Sequence, residues 1–197
     1  ERNTPEHVIE LLNSYFTRLT DIVIGQKGTL DKFMGDAAMV LFGTPMPIDH
    51  PVLRAIDSAL EIQGMVQDSM AEWVAKGFSA FSVGIGINYQ DVVIGHVGSA
   101  RLSNFTAIGD EVNLAYRLCE HAGGGEIIVS QSCIDEIKDW NGTIETRHGV
   151  QIKGKSEPIT VYSLAQKVDY ETGPCPKCGL IQQEGTKFCG KCGYRRY

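Results

Sequence analysis

The chain of 197 residues is short of several things, and each shortage narrows what it can be. It has no apolar run near the ~18 residues that a membrane span needs. It has no excess of basic residues: 18 Lys and Arg stand against 24 Asp and Glu, a net charge of -6. No basic patch dominates, which argues against a nucleic-acid binder. A nucleotide substrate stays open, because it requires only a few local cations. There is no internal repeat, no low-complexity segment and no secretory signal, so a cytoplasmic location is expected. The chain also lacks an initial Met and starts at Glu1, the mark expected of a segment with sequence upstream. Cysteine is sparse outside the tail. Cys119 and Cys133 sit alone in apolar helical patterns and read as buried free thiols. The other four form Cys175-x-x-Cys178 and Cys189-x-x-Cys192. Paired in this way they point to a metal in a reducing compartment, not to a disulfide framework.

What is present reads as one domain with a small appendage. Thr4-Pro5-Glu6 is a helix-start signal, and Val8, Leu11, Leu12, Tyr15, Phe16, Leu19, Ile22 and Val23 follow at helical spacing. Gly25 and Gly28 end that helix. Residues 29–34 and 37–42 then read as a hairpin closed by Gly35-Asp36, with glycine at the first position of a type II′ turn. A long helix is expected over about 50–76. Residues 81–88 and 91–97 read as a pair of strands, and 98–104 as a polar loop or hairpin extension. A short strand at 105–108 leads into a helix from Gly109-Asp110 to about His121. A strand at 126–129, a helix at 130–139, and strands near 143–147 and 159–165 complete the order. The hairpins and the strand–helix alternation predict an α+β fold with a largely antiparallel sheet. Residues 167–174 read as a linker.

Three features carry possible chemistry. Asp36 is held near a tight turn, where a carboxylate suits Mg²⁺ shared with phosphates; Gly-Asp is also ordinary turn chemistry. Lys32 alternates with Leu30 and Met34 on one strand face, so it either snorkels to an edge or points into a site. Asn113 and Arg117 are one helical turn apart and share a face. That pair can clamp a phosphoryl group through the planar guanidinium fork. Alternatively, Arg117 pairs with Glu120 or Asp110 on a solvated helix.

Taken together, these segments resemble a known family. The stretch from Gly28 to Met39, with Lys32-Phe33-Met34-Gly35-Asp36 at its centre, is similar to the hallmark hairpin of class III adenylate and guanylate cyclases. Asn104 to Arg117 is similar to their second hallmark, and Ile152-Lys153-Gly154-Lys155 to their last phosphate-contacting strand. The resemblance covers about residues 1–166. It implies a catalytic domain with a ferredoxin-like core, active as a head-to-tail homodimer with shared sites, that binds two Mg²⁺ or Mn²⁺ per site. The implied reaction is attack of the ribose 3′-oxygen on the α-phosphorus, giving a 3′,5′-cyclic nucleotide and pyrophosphate. By position, Asp36 matches a metal-binding aspartate and Asn113 the residue that orients the ribose. Arg117 matches the arginine that stabilises charge on the α-phosphate, and Lys153 the lysine that grips the terminal phosphates.

Lys32 and Thr106 match the two base-reading positions. Lysine can donate to adenine N1 and threonine oxygen can accept from N6, whereas guanine carries a proton at N1, so ATP is the expected substrate. The lysine–threonine combination resembles a bacterial-type subgroup related to bicarbonate-responsive cyclases. One departure stands out. The family opens with a strand carrying Phe-x-Asp-Ile-x-x-Phe-Thr, which supplies a second metal aspartate, and nothing here matches it. The chain by itself is therefore expected to lack the first strand and to be weak or inactive. A catalytically inactive regulatory or dimerisation module and a guanylate cyclase remain the alternative readings. In the tail, residues 175–197, Cys175, Cys178, Cys189 and Cys192 resemble a zinc ribbon. Four thiolates imply a closed structural Zn²⁺ site that supplies most of the folding energy of so short a segment. The partner of the ribbon is unknown.

Overall fold

The computed structural model describes residues 4–99, 101–138 and 140–165. Two compact units divide the chain at residues 165 and 166. The linker and the four tail cysteines, Cys175, Cys178, Cys189 and Cys192, lie outside the described residues.

In chain order the elements are α1 (Pro5–Gly25), β1 (Thr29–Met34), β2 (Ala37–Leu41), α2 (Pro51–Ala75), β3 (Ile85–Ile87) and β4 (Val93–Gly98). They continue with β5 (Ser103–Ile108), α3 (Asp110–His121), β6 (Ile127–Val129), α4 (Gln131–Glu136), β7 (Thr143–Val150) and β8 (Ile159–Ala165). The fold is α+β, as expected. Its strands form three ladders: a hairpin β1-β2, a hairpin β4-β5, and a four-stranded sheet in the order β3-β6-β8-β7. All pairings are antiparallel except β3 with β6.

The helices start and pack for identifiable reasons. Thr4 caps α1 by accepting from the His7 amide, and Pro5 occupies the first turn, where its missing N–H costs nothing. One face of α1 buries Tyr15, Leu19 and Val23 against Ile62, Val66 and Trp73 of α2. Trp73 is fully buried, and its indole nitrogen donates to Ser14 Oγ at 3.1 Å. Leu30, Ala38 and Val40 seat the first hairpin on this same cluster. The other end of α2 packs Val52, Ile56 and Ala59 against Ile127 and Val129 of β6, Leu164 of β8 and Cys133 of α4. Ile128, between those two β6 residues, faces the opposite way and meets Leu118 of α3 and Val161. A strand whose alternate residues are buried on both faces is central to a layered structure. Here the layers are α2 with α4, the sheet, and α3.

Two expectations change. Residues 81–88 and 91–97 do not pair with each other. Only Ile85–Ile87 forms a strand, and it runs parallel to β6, while Val93–Gly98 pairs with Ser103–Ile108. The partner of β3 comes 40 residues later, after the crossover through α3, so local pattern could not show it. The second change is in β1. Leu30 pairs with Val40 but Lys32 pairs with Met39, leaving Asp31 as the extra residue of a β-bulge. The bulge breaks the alternation. Leu30 and Phe33 face the helices with their partners Val40 and Ala38, and Phe33 stacks on Phe16 of α1 at 4.1 Å. Lys32 and Met34 lie on the other face. Lys32 is thus not a lysine between apolar neighbours on a buried face.

Candidate active site

Lys32 leaves the first hairpin and meets the second. Its ammonium donates to the Thr106 hydroxyl at 2.8 Å. Thr106 sits in β5 opposite Gly95 and is 6% exposed. Its hydroxyl in turn donates to Asp31 Oδ2 at 2.8 Å, and Lys32 Nζ lies 3.2 Å from the same oxygen. The two residues expected to read a base are therefore in direct contact, 74 positions apart in sequence. Sequence reasoning missed Asp31. The bulge that brings it to Thr106 has no signature in the alternation of this strand.

Asp36 closes the hairpin tip. Gly35 has φ +66, a conformation that glycine adopts without strain, and Met34 pairs with Ala37 across the two-residue turn. Asp36 is exposed. Among the described residues, no hydrogen bond or ion pair ties its carboxylate to another side chain. Its charge nevertheless reaches Tyr15 of α1 and Cys119 of α3. Burial, then Cys119, then Asp36 push the Tyr15 phenol up to about 12. Burial is also the main cause that raises the Cys119 thiol, with Glu120 and Asp36 adding to it and the Gly86 backbone opposing it. An exposed carboxylate on a rigid turn is the kind of oxygen donor that Mg²⁺ takes alongside water and phosphate oxygens. No group of three or more His, Cys, Asp or Glu that could hold a metal occurs among the described residues. Asp36 therefore fits one ligand of an ion shared with substrate, not a closed protein cage.

Asn113 and Arg117 lie on α3, whose position is tightly set. A Cβ on Gly86 of β3 would collide with the Cys119 amide and the Ala115 carbonyl, so helix and strand meet backbone to backbone. At the start of the helix, Asn88 Nδ2 donates to the Glu111 carbonyl at 3.0 Å and to Glu111 Oε2 at 2.9 Å. Leu118 anchors the buried side. Asn113 is left exposed on the opposite side. Arg117 bonds to Glu120 at 2.5 Å, and its guanidinium lies 5.4 Å from the centre of the Tyr116 ring. This is the ordinary helix-surface pairing that the sequence left open. The hydrogen bond from Arg117 is the largest of the effects that hold the Glu120 carboxyl below its usual range, and Lys153 contributes to the same lowering. Lys153 is exposed and follows buried Ile152. The pairing with Glu120 was one that the sequence named; the influence of Lys153 on the same carboxyl was not.

The arrangement offers a donor–acceptor pair at one end, two cations at another, and a carboxylate at a turn. Comparison with known proteins gives it a family. A family model described as the adenylate and guanylate cyclase catalytic domain matches residues 1–166. The uncharacterized protein Rv1320c of Mycobacterium tuberculosis is 32% identical over 168 residues, covering 82% of this chain and 28% of that protein. The chain thus spans little more than a quarter of the length of the curated relatives it matches. Among solved structures, the guanylyl cyclase Cya2 superposes with a TM-score of 0.78 at 32% identity, covering 84% of this chain and 83% of that one. The adenylyl cyclase CyaB from P. aeruginosa superposes with a TM-score of 0.78 at 29% identity, covering 84% and 85%.

Proposed function

The chain belongs to the adenylate and guanylate cyclase catalytic domain family, and from that premise we propose that it is the catalytic part of an adenylate cyclase, converting ATP to 3′,5′-cyclic AMP and pyrophosphate. Cyclase domains bind a nucleotide, use divalent ions such as Mg²⁺ or Mn²⁺, and work as dimers. The choice of ATP is carried by one observation, the 2.8 Å bond between Lys32 and Thr106. A donor bonded to an acceptor supports a base-reading role for this pair. Adenine offers the complement, an acceptor at N1 and a donor at N6. Guanine offers a donor at N1 and an acceptor at O6, so both contacts would oppose like with like. The likeness to a guanylyl cyclase at 32% identity speaks for the alternative. Overall identity, however, is spread over core and loops, whereas the base is read by two side chains.

In this reading Asn113 orients the ribose, Arg117 neutralises charge growing on the α-phosphate, and Lys153 holds the terminal phosphates. The 3′-oxygen bonds to the α-phosphorus as the bond to the bridging oxygen breaks, and pyrophosphate leaves. Positive charge gathered at the developing negative charge lowers that barrier. Divalent ions, when bound, lower the pKa of the attacking hydroxyl and neutralise phosphate charge, with Asp36 supplying one oxygen ligand. A head-to-tail dimer completes each site, with Asp36 of one protomer facing the other residues on its partner. The apolar face of the β4-β5 hairpin, with Val93 72% and Leu102 75% exposed, supports burial against a second copy. In the tail we read residues 167–174 as a linker and Cys175, Cys178, Cys189 and Cys192 as ligands of a structural Zn²⁺. Residues 1–166 are the cyclase domain. The lysine–threonine pair also supports the bicarbonate-responsive subgroup.

The test is a direct comparison of cyclic AMP and cyclic GMP formation by the full-length protein with Mn²⁺. ATP is expected to be preferred by ~10⁴ or more, the scale on which sites built on hydrogen bonds reject a ligand that leaves them unpaired. Faster formation of cyclic GMP overturns the assignment.

A further inference from the structure

Asp31 is the one carboxylate among these residues that is withdrawn from solvent. Its side chain is 3% exposed, against 36% for Lys32 beside it. With its side chain almost wholly withdrawn from solvent, it is poorly placed to meet a ligand itself. It accepts from the Thr106 hydroxyl at 2.8 Å and forms an ion pair with Lys32 Nζ at 3.2 Å. We infer that Asp31 is a positioning residue that selects adenine by fixing the hydrogen-bond polarity of Thr106. This inference rests on the adenine reading above and deepens it.

A threonine hydroxyl has one proton and two lone pairs, so by itself it can serve either adenine N6 as acceptor or guanine O6 as donor. A hydroxyl alone therefore does not choose a purine. A carboxylate only accepts. When the Thr106 proton is committed to Asp31, the oxygen presents lone pairs alone to whatever approaches from outside. One of these is taken by Lys32 in the free protein. Lys32 Nζ bonds directly to the Thr106 oxygen, and its 3.2 Å contact with the same carboxylate is one that the amide oxygen of Asn can keep, so donor and acceptor stand side by side before any nucleotide arrives. The bulge in β1 makes this possible. With regular alternation Asp31 and Lys32 would point to opposite faces, but the extra residue between Leu30 and Lys32 lets both reach Thr106.

A purely structural role is the competing account, with Asp31 as a tie between the two hairpins. The two accounts differ in what they predict for base choice. Asp31→Asn keeps shape and volume, but its amide can donate to Thr106 and release the hydroxyl proton toward the ligand. The experiment measures displacement of a fluorescent ATP analogue from the full-length protein, with Mn²⁺, by ATP, GTP and purine riboside triphosphate. The last of these lacks the 6-amino group. Asp31→Asn should weaken ATP about tenfold, the scale of one buried hydrogen bond, and leave purine riboside triphosphate unchanged. The ATP-to-GTP ratio should narrow by at least the same factor. Thr106→Val should do likewise, and Asp31→Asn should have no further effect on the ratio in that background. Thr106→Ser, which keeps a hydroxyl for Asp31 to hold, should retain the preference, and this comparison stands even if Asp31→Asn does not fold.

Equal weakening of all three nucleotides by Asp31→Asn makes Asp31 a structural tie and overturns the inference. So does a ratio that still shifts in the Thr106→Val background, or Ser and Val variants that lose the preference alike. If the unaltered protein fails to favour ATP over GTP, the adenine reading itself fails, and the role of Asp31 falls with it. That outcome is distinguishable, because it is seen before any substitution is made.

Discussion

The two ends of the site are built on different principles. On the reading proposed above, the base-reading end is closed on itself: Thr106 is 6% exposed and the Asp31 side chain 3%, Lys32 at 36% is its outward member, and the three polar groups bond to one another. The phosphate-facing end is open. Arg117 and Glu120 pair with 29% and 48% of their side chains exposed, and Lys153 stands free of hydrogen bonds and ion pairs among the described residues. A buried polar group carries a large penalty if left unpaired, so the first arrangement is suited to rejecting wrong partners. An exposed ion pair is weakly held and screened by salt, so the second is suited to exchanging one anion for another. On the proposed reading, selectivity would rest on a network formed before the substrate arrives, and charge compensation on an exposed pair that exchanges partners when it does.

The sharpest way to break this division is Arg117→Ala. If the open end works on the transition state, turnover should fall by about 10²–10³, the scale of losing one charge-stabilising donor. Affinity for ATP should change far less, and the ATP-to-GTP ratio not at all. Steady-state kinetics with both nucleotides separate these quantities. Equal loss in turnover and affinity removes the transition-state role, and a shifted nucleotide ratio would mean that the two ends are not independent.

How much of this was legible in the sequence differs between the same two ends. The helices were, because Val8 to Val23 and Val112 to Leu118 repeat at the helical period and carry their own start signals. The open end followed from them, since residues four apart on a helix share a face whatever the rest of the chain does. The closed end was only half legible. Lys32 and Thr106 could be named, but a period of two placed Lys32 with Leu30, and the bulge at Asp31 reverses that face. A one-residue register change is invisible to counting and is decided by cross-strand and helix packing. The pairing of β3 was lost for a similar reason, because its partner lies beyond a crossover. Gly84 and Gly86 were the available clue. Glycines two apart in a strand mark a face where another backbone comes close, and α3 is that backbone.

The seat of α3 gives a second, intermediate test. Leu118 is fully buried against Ile128 and Val161. Leu118→Ala should destabilise the domain by about 2–5 kcal/mol, from lost burial and the cavity left behind. Because α3 carries Asn113 and Arg117 but neither base-reading residue, activity of the folded fraction should fall while the ATP-to-GTP ratio holds. Chemical denaturation and the kinetic ratio together check this. A ratio that drifts with the packing of α3 would blur the division between the ends.

The smallest effect should come from Glu120→Gln, and its sign is the informative part. In the free protein Glu120 occupies the guanidinium that a triphosphate would meet, and it also feels Lys153. Removing its charge takes away a competitor for both cations, so nucleotide affinity should rise. The pair is exposed, so the rise should be no more than about threefold, and it should shrink as salt is added. The Glu120 carboxyl is held below its ordinary range, chiefly by Arg117. Whatever the pair contributes is therefore fully present above the usual carboxylate range and lost as pH falls through the lowered value, and the difference between Gln and Glu should vanish along with it. Base discrimination should be untouched, in direct contrast to Asp31→Asn. A fall in affinity would reverse the interpretation, for it would mean that Glu120 aims Arg117 at the phosphate and that the open end is as preorganised as the closed one.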